Sequence, residues 1–302
     1  MSDDDDHVWD NEVDVLCVGG AIGTLASAVA AADAEVEVLV ATSAAQDGAW
    51  LPGDVADAET LEYFAALTAG VVAATPVPDA EVPKRVVYES PAPEQRGRKV
   101  PTFYGGRLKD WAAQCLSSPY GLLHTRVSDW GTENRQTLDD KPVQVKIIEK
   151  MNLDPAGGAP SLVGRLFDAA DARGIDIRTE TTLKRLIFED GAVIGAVLAD
   201  SEGSYTVRAR HGVTLAPAVA IAESAVVAGA AEVQLALVSQ AGSRFAQVEI
   251  LVPAATPTPA ATRSVQCTDS NRRMAATLRG ARRGRSESRR WRKVDRYPPF
   301  GQ

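Results

Sequence analysis

Three glycines, in Gly19-Gly20-Ala21-Ile22-Gly23, interrupt an apolar stretch near the N-terminus of this 302-residue chain. A glycine turn that opens a helix points backbone amides at an anion, and a pyrophosphate reaches those amides only where no Cβ stands between. Gly20 and Gly23 keep the spacing of the last two glycines of G-x-G-x-x-G, and Val18 stands at its first place. Residues 19 to 23 are therefore candidates for holding a dinucleotide. The second strand ends in Val40-Ala41-Thr42, with no acid for the ribose hydroxyls, which leaves Thr42 as the candidate there.

Catalytic groups are less sharply marked. His124 and Arg126 could form a carboxylate clamp, the guanidinium binding two oxygens and the imidazole moving a proton. No base-orienting partner can be named from spacing, so a structural histidine in a surface loop is the heavier reading. Tyr104 and Tyr120 could donate phenol protons, but aromatic residues in a loop-rich stretch are first of all its core. His211 reads as a turn residue, and Arg107 as an anchor for its own loop. Cys17, Cys115 and Cys267 are odd in number and lack metal spacing, so reduced thiols are expected, with no zinc site.

These residues need elements to position them. Strands are expected near 13 to 18 and 36 to 41, joined by a helix over 22 to 33; both strands are apolar without alternation, which calls for cover on both faces. Asp57 should cap a helix that presents Leu61, Phe64, Ala65 and Leu67 to the core. Residues 74–150 are rich in Pro, Gly and charge and read as an elaborated loop region with short elements. A further helix should end on Gly174, followed by strands at 175–178, 182–189, 192–199, 204–210 and 212–216, with hairpin turns at Asp190-Gly191 and Glu202-Gly203. The fold class implied is α/β, a three-layer domain with a central parallel sheet and a small antiparallel β-meander.

Composition bounds the rest. The chain is 45% hydrophobic, enough for a full core, and its longest apolar run is broken by Pro217 and stopped by Glu223, so no membrane insertion is expected. The N-terminus MSDDDDH has no apolar leader, so a cytoplasmic location is expected. The net charge of -8 divides unevenly: from Arg263 onward 12 Lys and Arg face 3 acids, leaving -17 on residues 1–262. We read 12–252 as the folded domain, 253–262 as a Pro/Ala/Thr linker and 263–302 as an arginine-rich tail expected to be disordered. That tail could lie on the acidic body or be sequence without a selected fold, and nucleic acid is not expected as a partner.

Taken together, DVLCVGGAIGTLASAVAAA, DAETLEYFAALTAG, YGGRLKDWAAQCL and the long segment GGAPSLVGRLFDAADARGIDIRTETTLKRLIFEDGAVIGAVLADSEGSYTVRARHGVTLA resemble the FAD-dependent oxidoreductases that include fumarate reductase and succinate dehydrogenase flavoproteins and 3-ketosteroid dehydrogenases. The resemblance spans roughly 12 to 250. It implies a Rossmann-like FAD-binding domain, FAD as cofactor, and hydride transfer between flavin and a small steroid-type or dicarboxylate-type substrate. By the same resemblance, Leu183 lies along the adenine and Ala216 stands where the family's Ala-Thr-Gly-Gly begins; here Pro217-Ala218-Val219 follows instead. The family's cap domain and last flavin-contacting segment find no counterpart after Val252, and the stretch from Val213 to Leu237 would lack its cover. A second subunit or a copy of this chain is therefore expected as partner. The alternative is a non-catalytic relative acting as a partner subunit, so turnover by this chain is left open.

Overall fold

The computed structural model of the protein describes residues 8–44, 49–53, 55–77, 80–89, 105–127, 131–137, 141–151, 162–219 and 233–254. After a short strand β1 (Asn11–Val13), the apolar run becomes β2 (Val15–Gly19), α1 (Ala21–Ala32) and β3 (Val38–Thr42). β2 and β3 lie side by side and parallel, Cys17 opposite Val40, as a right-handed βαβ unit requires. All of β3 and four of the five β2 residues are buried, which is why neither strand alternates.

α4 (Leu162–Asp171) packs with α1 over one face of these strands, Leu166 and Ala170 meeting Leu25 and Val29 in one cluster. Gly174 follows with φ +66, a left-handed stop that a Cβ would strain. The chain then adds β8 (Asp176–Arg178) parallel to β3. The other face carries the meander β9 (Thr182–Glu189), β10 (Ala192–Ala199) and β11 (Ser204–Ala209), with β1 joined to its edge. Asp190 and Gly191 both have positive φ, the geometry of a two-residue hairpin turn. Leu183, Leu186, Ala196 and Val207 from the meander share a cluster with Leu16, Val18 and Leu39.

Helix α2 (Ala58–Thr68) starts at the expected cap, the Asp57 carboxylate accepting from the Thr60 amide at 2.9 Å. Its inward face is the expected one only in part. Tyr63, Phe64 and Leu67 pack inward, whereas Leu61 is 44% exposed and Ala65 is exposed too. The phase is set by a tertiary bond, since the Leu186 amide of β9 donates to the Thr60 hydroxyl at 2.9 Å and turns that residue inward.

Residues 74–150 differ most from the reading of an irregular loop region. They hold β4 (Lys84–Glu89), α3 (Gly105–Leu116), β5 (Gly121–His124), β6 (Glu133–Thr137) and β7 (Pro142–Met151). β12 (Val213–Ala216) runs parallel to β2 and antiparallel to β5, while β13 (Val233–Ser239) and β14 (Phe245–Pro253) complete the set. β13 pairs with both β7 and β14, so β13, β7, β6, β4 and β14 close into a five-stranded ring, which β14 joins to β5. Composition hid these strands: β6 is polar outside, and only the alternation of Val143 and Val145 in β7 betrays an inner face.

The stretch expected to lack cover is covered wherever it is described. Val213 and Leu235 are 1% and 0% exposed, enclosed by β2 and β5 in one case and by β7 and β14 in the other. The linker beyond residue 254, the tail 263–302, Tyr104 and Cys267 lie outside the described residues.

Candidate functional site

At the carboxyl end of β2 the chain turns through Gly19, with φ +125, and Gly20, and α1 begins at Ala21 without a side-chain cap. The carboxyl end of β12 crosses this turn. The Gly20 amide donates to the Ala216 carbonyl at 3.2 Å, and a Cβ on Gly19 would stand 1.9 Å from that same oxygen. A Cβ on Gly20 would meet the Pro217 carbonyl oxygen at 2.2 Å, and one on Gly23 the Ala216 Cβ at 2.6 Å. Gly19 and Gly20 are thus required by the close approach of the backbone at Ala216 and Pro217, and Gly23 by the Ala216 side chain.

Between these segments is a pocket of about 10 Å³ lined by Val18, Gly19, Ser43, Trp50, Leu183 and Ala216, among others. Three residues singled out from the sequence, Gly19, Leu183 and Ala216, are brought together here from distant parts of the chain. Gly20, Ala21, Ile22 and Gly23 form the turn and helix start behind it. Thr42 is buried and spends its carbonyl on the Thr181 amide at 3.1 Å; it is the next residue, Ser43, that faces the pocket, its amide donating to the Gly19 carbonyl. Sequence reasoning missed Ser43 by one place, and missed Trp50, whose indole donates to the Leu116 carbonyl at 2.9 Å. A lone tryptophan in TSAAQDGAWLPGD was the available signal.

The catalytic candidates are engaged elsewhere. Tyr120 is fully buried, its hydroxyl donating to the Ala80 carbonyl at 2.6 Å. His124 sits at the end of β5 rather than in a surface loop, its Nδ1 2.9 Å from the Thr214 hydroxyl, and burial pushes its pKa down to about 4. Buried and bonded to Thr214, it is held as a neutral imidazole. The exposed Arg126 donates to the carbonyls of Arg210 and Val193, tying the β12 approach to the meander. His211 is an exposed turn residue 3.8 Å from Asp14. Cys17 and Cys115 are free and buried; burial pushes the Cys17 thiol up to about 12 and raises Cys115 as well.

The residues around the glycine turn suit a dinucleotide in kind: small side chains, an uncapped helix start and an apolar wall. The pocket between the described segments, about 10 Å³, admits roughly one water.

Residues 105–242 match the family of the FAD binding domain. No curated protein matches the chain. Among solved structures, it is similar to the 3-ketosteroid-delta4-(5alpha)-dehydrogenase of Rhodococcus jostii RHA1, at 18% identity and TM-score 0.31, over 70% of this chain and 47% of that one. An open-conformation flavocytochrome c3 fumarate reductase gives 20% identity and TM-score 0.29 over 67% and 33% of the two chains. The 3-ketosteroid delta1-dehydrogenase of Sterolibacterium denitrificans gives 16% and 0.28 over 67% and 47%. The chain thus spans less than half the length of each of these structures. No helix among the described residues is long and apolar enough to cross a membrane. Over residues 105–242 the chain matches the FAD binding domain family that its sequence resembles, and FAD is the cofactor this match supports.

Proposed function

We propose that this chain is an FAD-binding oxidoreductase-like protein, cytoplasmic, of the class that passes a hydride between flavin and a small organic substrate of steroid or dicarboxylate type. One observation carries the reading. Gly19, Leu183 and Ala216, far apart in sequence, line a single pocket at the carboxyl ends of β2 and β12, where an open α/β sheet binds its ligands. We take α1 and α4 on one face and the meander on the other as the outer layers of a Rossmann-like three-layer domain. In this reading the amides at the start of α1 hold the pyrophosphate, Leu183 lies by the adenine and the Thr42-Ser43 corner takes the ribose. The cofactor supplies the redox chemistry when bound, and the chain's part is to bind, orient and exclude water.

A second reading has a specific observation behind it. Pro217 and Ala218 press on the glycine turn, and Tyr120, His124 and Arg126 all serve the fold. These facts favour a non-catalytic relative that works as a subunit with a second polypeptide or with its own copy. The visible absorption spectrum of the purified full chain, before and after incubation with excess FAD, separates the two. Stoichiometric flavin that is released on denaturation supports the first. No bound flavin under either condition overturns it, and light scattering then tests the second, which a monodisperse monomer that captures no partner would sink.

A further inference from the structure

A planar ring system packs best on a flat, rigid, apolar wall, and a tryptophan whose N–H is already bonded supplies one. Trp50 stands between β3 and α2 and lines the same pocket as Gly19, Ser43, Leu183 and Ala216. We propose that Trp50 is a cofactor-contacting residue, its indole forming the wall on which a fused ring of the dinucleotide packs. The role rests on the FAD-binding reading and adds to it an aromatic contact for one of the cofactor's rings.

Three elements hold the indole in place. Its N–H donates at 2.9 Å to the carbonyl of Leu116, the last residue of α3. The centroid of the Phe64 ring on α2 is 6.4 Å away, the two planes tilted by 34°. A Cβ on Gly121, at the start of β5, would lie 3.1 Å from the Trp50 Cζ2, so one ring edge is seated directly on that backbone. Supports from α2, α3 and β5 together fix both the place and the tilt of the ring before any ligand arrives, which is what a preorganised contact requires. Trp50 packs against the cluster of Leu16, Val18 and Leu183 yet stays only partly buried, and surface left over from that packing lines the pocket.

The chemistry of this wall favours a ring over the other parts of a dinucleotide. The indole's one donor is given to Leu116, so toward the pocket Trp50 offers carbon and π surface and no hydrogen bond for a phosphate or a hydroxyl. Leu183 and Leu215, both buried, share the lining, and besides Trp50 itself only Ser43 brings a polar side chain to it among the described residues. The contact is identified by the character of this wall rather than by the space of about 10 Å³ that the described residues leave. Stacking on an aromatic side chain draws on the π face that every fused ring has, whatever its edge groups. Adenine and isoalloxazine share that chemistry, and the two halves of the cofactor can be offered separately.

Calorimetric titration of the full chain with FAD, comparing the parent with Trp50→Leu and Trp50→Phe well below their melting temperatures, tests the contact. Loss of the aromatic face in Trp50→Leu should weaken FAD by about tenfold. Trp50→Phe keeps an aromatic face while losing the bond to Leu116, and should stay within about threefold of the parent. Repeating the titrations with ADP and with FMN assigns the ring, since the half whose binding weakens in Trp50→Leu is the half that Trp50 touches. If Trp50→Leu fails to fold, Trp50→Met takes its place. A parent chain that binds no FAD overturns the FAD-binding reading and this role with it. With FAD bound by the parent, the role alone is overturned if Trp50→Leu keeps the parent affinity, if Trp50→Phe loses as much as Trp50→Leu, or if neither ADP nor FMN binding is weakened.

Discussion

Alanine placed at each of three glycines separates the two costs that the glycine turn combines. Gly174 has φ +66 and open space around its Cβ position, so Gly174→Ala carries only the backbone penalty, about 1 kcal/mol. Gly20 has an ordinary φ of -68, but its Cβ would sit 2.2 Å from the Pro217 carbonyl oxygen and 3.2 Å from the Ala218 Cα, backbone atoms that cannot rotate aside. Overpacking of this kind costs about 3 kcal/mol. Gly19→Ala meets both, a φ of +125 and a contact of 1.9 Å with the Ala216 oxygen, and should lose about 4 to 6 kcal/mol. At about 3 °C per kcal/mol for a unit of this size, the melting temperature falls by about 3 °C, about 9 °C and about 15 °C in turn. Thermal unfolding followed by circular dichroism on the full chain reads the order directly. If Gly20→Ala melts no lower than Gly174→Ala, the Pro217 segment does not lie against the turn. If Gly20→Ala keeps its melting temperature yet loses FAD, a phosphate rather than a carbonyl occupies the space beside Gly20.

Other substitutions test the supports of the site. Asp57→Ala removes the cap of α2 and should cost about 1 kcal/mol in urea unfolding, while Thr60→Val strands the buried Leu186 amide and should cost about 2 kcal/mol. Glu249→Leu removes the bidentate partner of Arg85; because that side chain is 23% exposed, the loss should be about 2 to 3 kcal/mol rather than the full buried-charge value, and adding Arg85→Met should recover most of it. The pH dependence of stability carries a term from His124, whose pKa burial lowers from 6.5 to about 4. The unfolded chain takes up a proton near pH 6.5 that the folded chain refuses until about pH 4, so stability falls across that window by about 3 kcal/mol. Glu249, whose carboxyl burial raises, contributes with the opposite sign, so the quantity to measure is the difference between the parent and His124→Gln in urea midpoints from pH 7 to pH 4. A difference that stays flat would show His124 to be solvated.

What could be read from the sequence was whatever depends on neighbours along the chain. The β2-α1-β3 unit, the Asp57 cap, the Gly174 stop and the paired hairpin of β9 and β10 each follow from periodicity or from one turn residue, and each stands where expected to within a residue or two. The ring was hidden because its closure rests on β13 meeting both β7 and β14, and no local signal announces a pairing between strands some ninety residues apart. The face of α2 was read only in part, Phe64 and Leu67 but not Leu61 and Ala65, for the same reason: helical spacing cannot say which of two adjacent stripes turns inward when a single bond from the Leu186 amide to Thr60 bears on it.

The candidate site divides along this line too. Spacing established that Gly19, Gly20 and Gly23 must let something come close, and the structure has something close to each of them. It could not establish whether the close object is a cofactor oxygen or a peptide oxygen, because the two make nearly the same demand on a Cβ. The cue lay in another strand, where Ala216-Pro217-Ala218 stands in place of a glycine-rich end. A glycine pair there would carry the same carbonyl but let the segment shift, whereas Pro217 fixes its φ. Nucleotide binding in this chain therefore depends on residues 216–219 as well as on the glycines themselves. Pro217→Gly, which frees the segment without touching the turn, should raise FAD retention if the turn is competent and leave it unchanged if the turn has become purely structural.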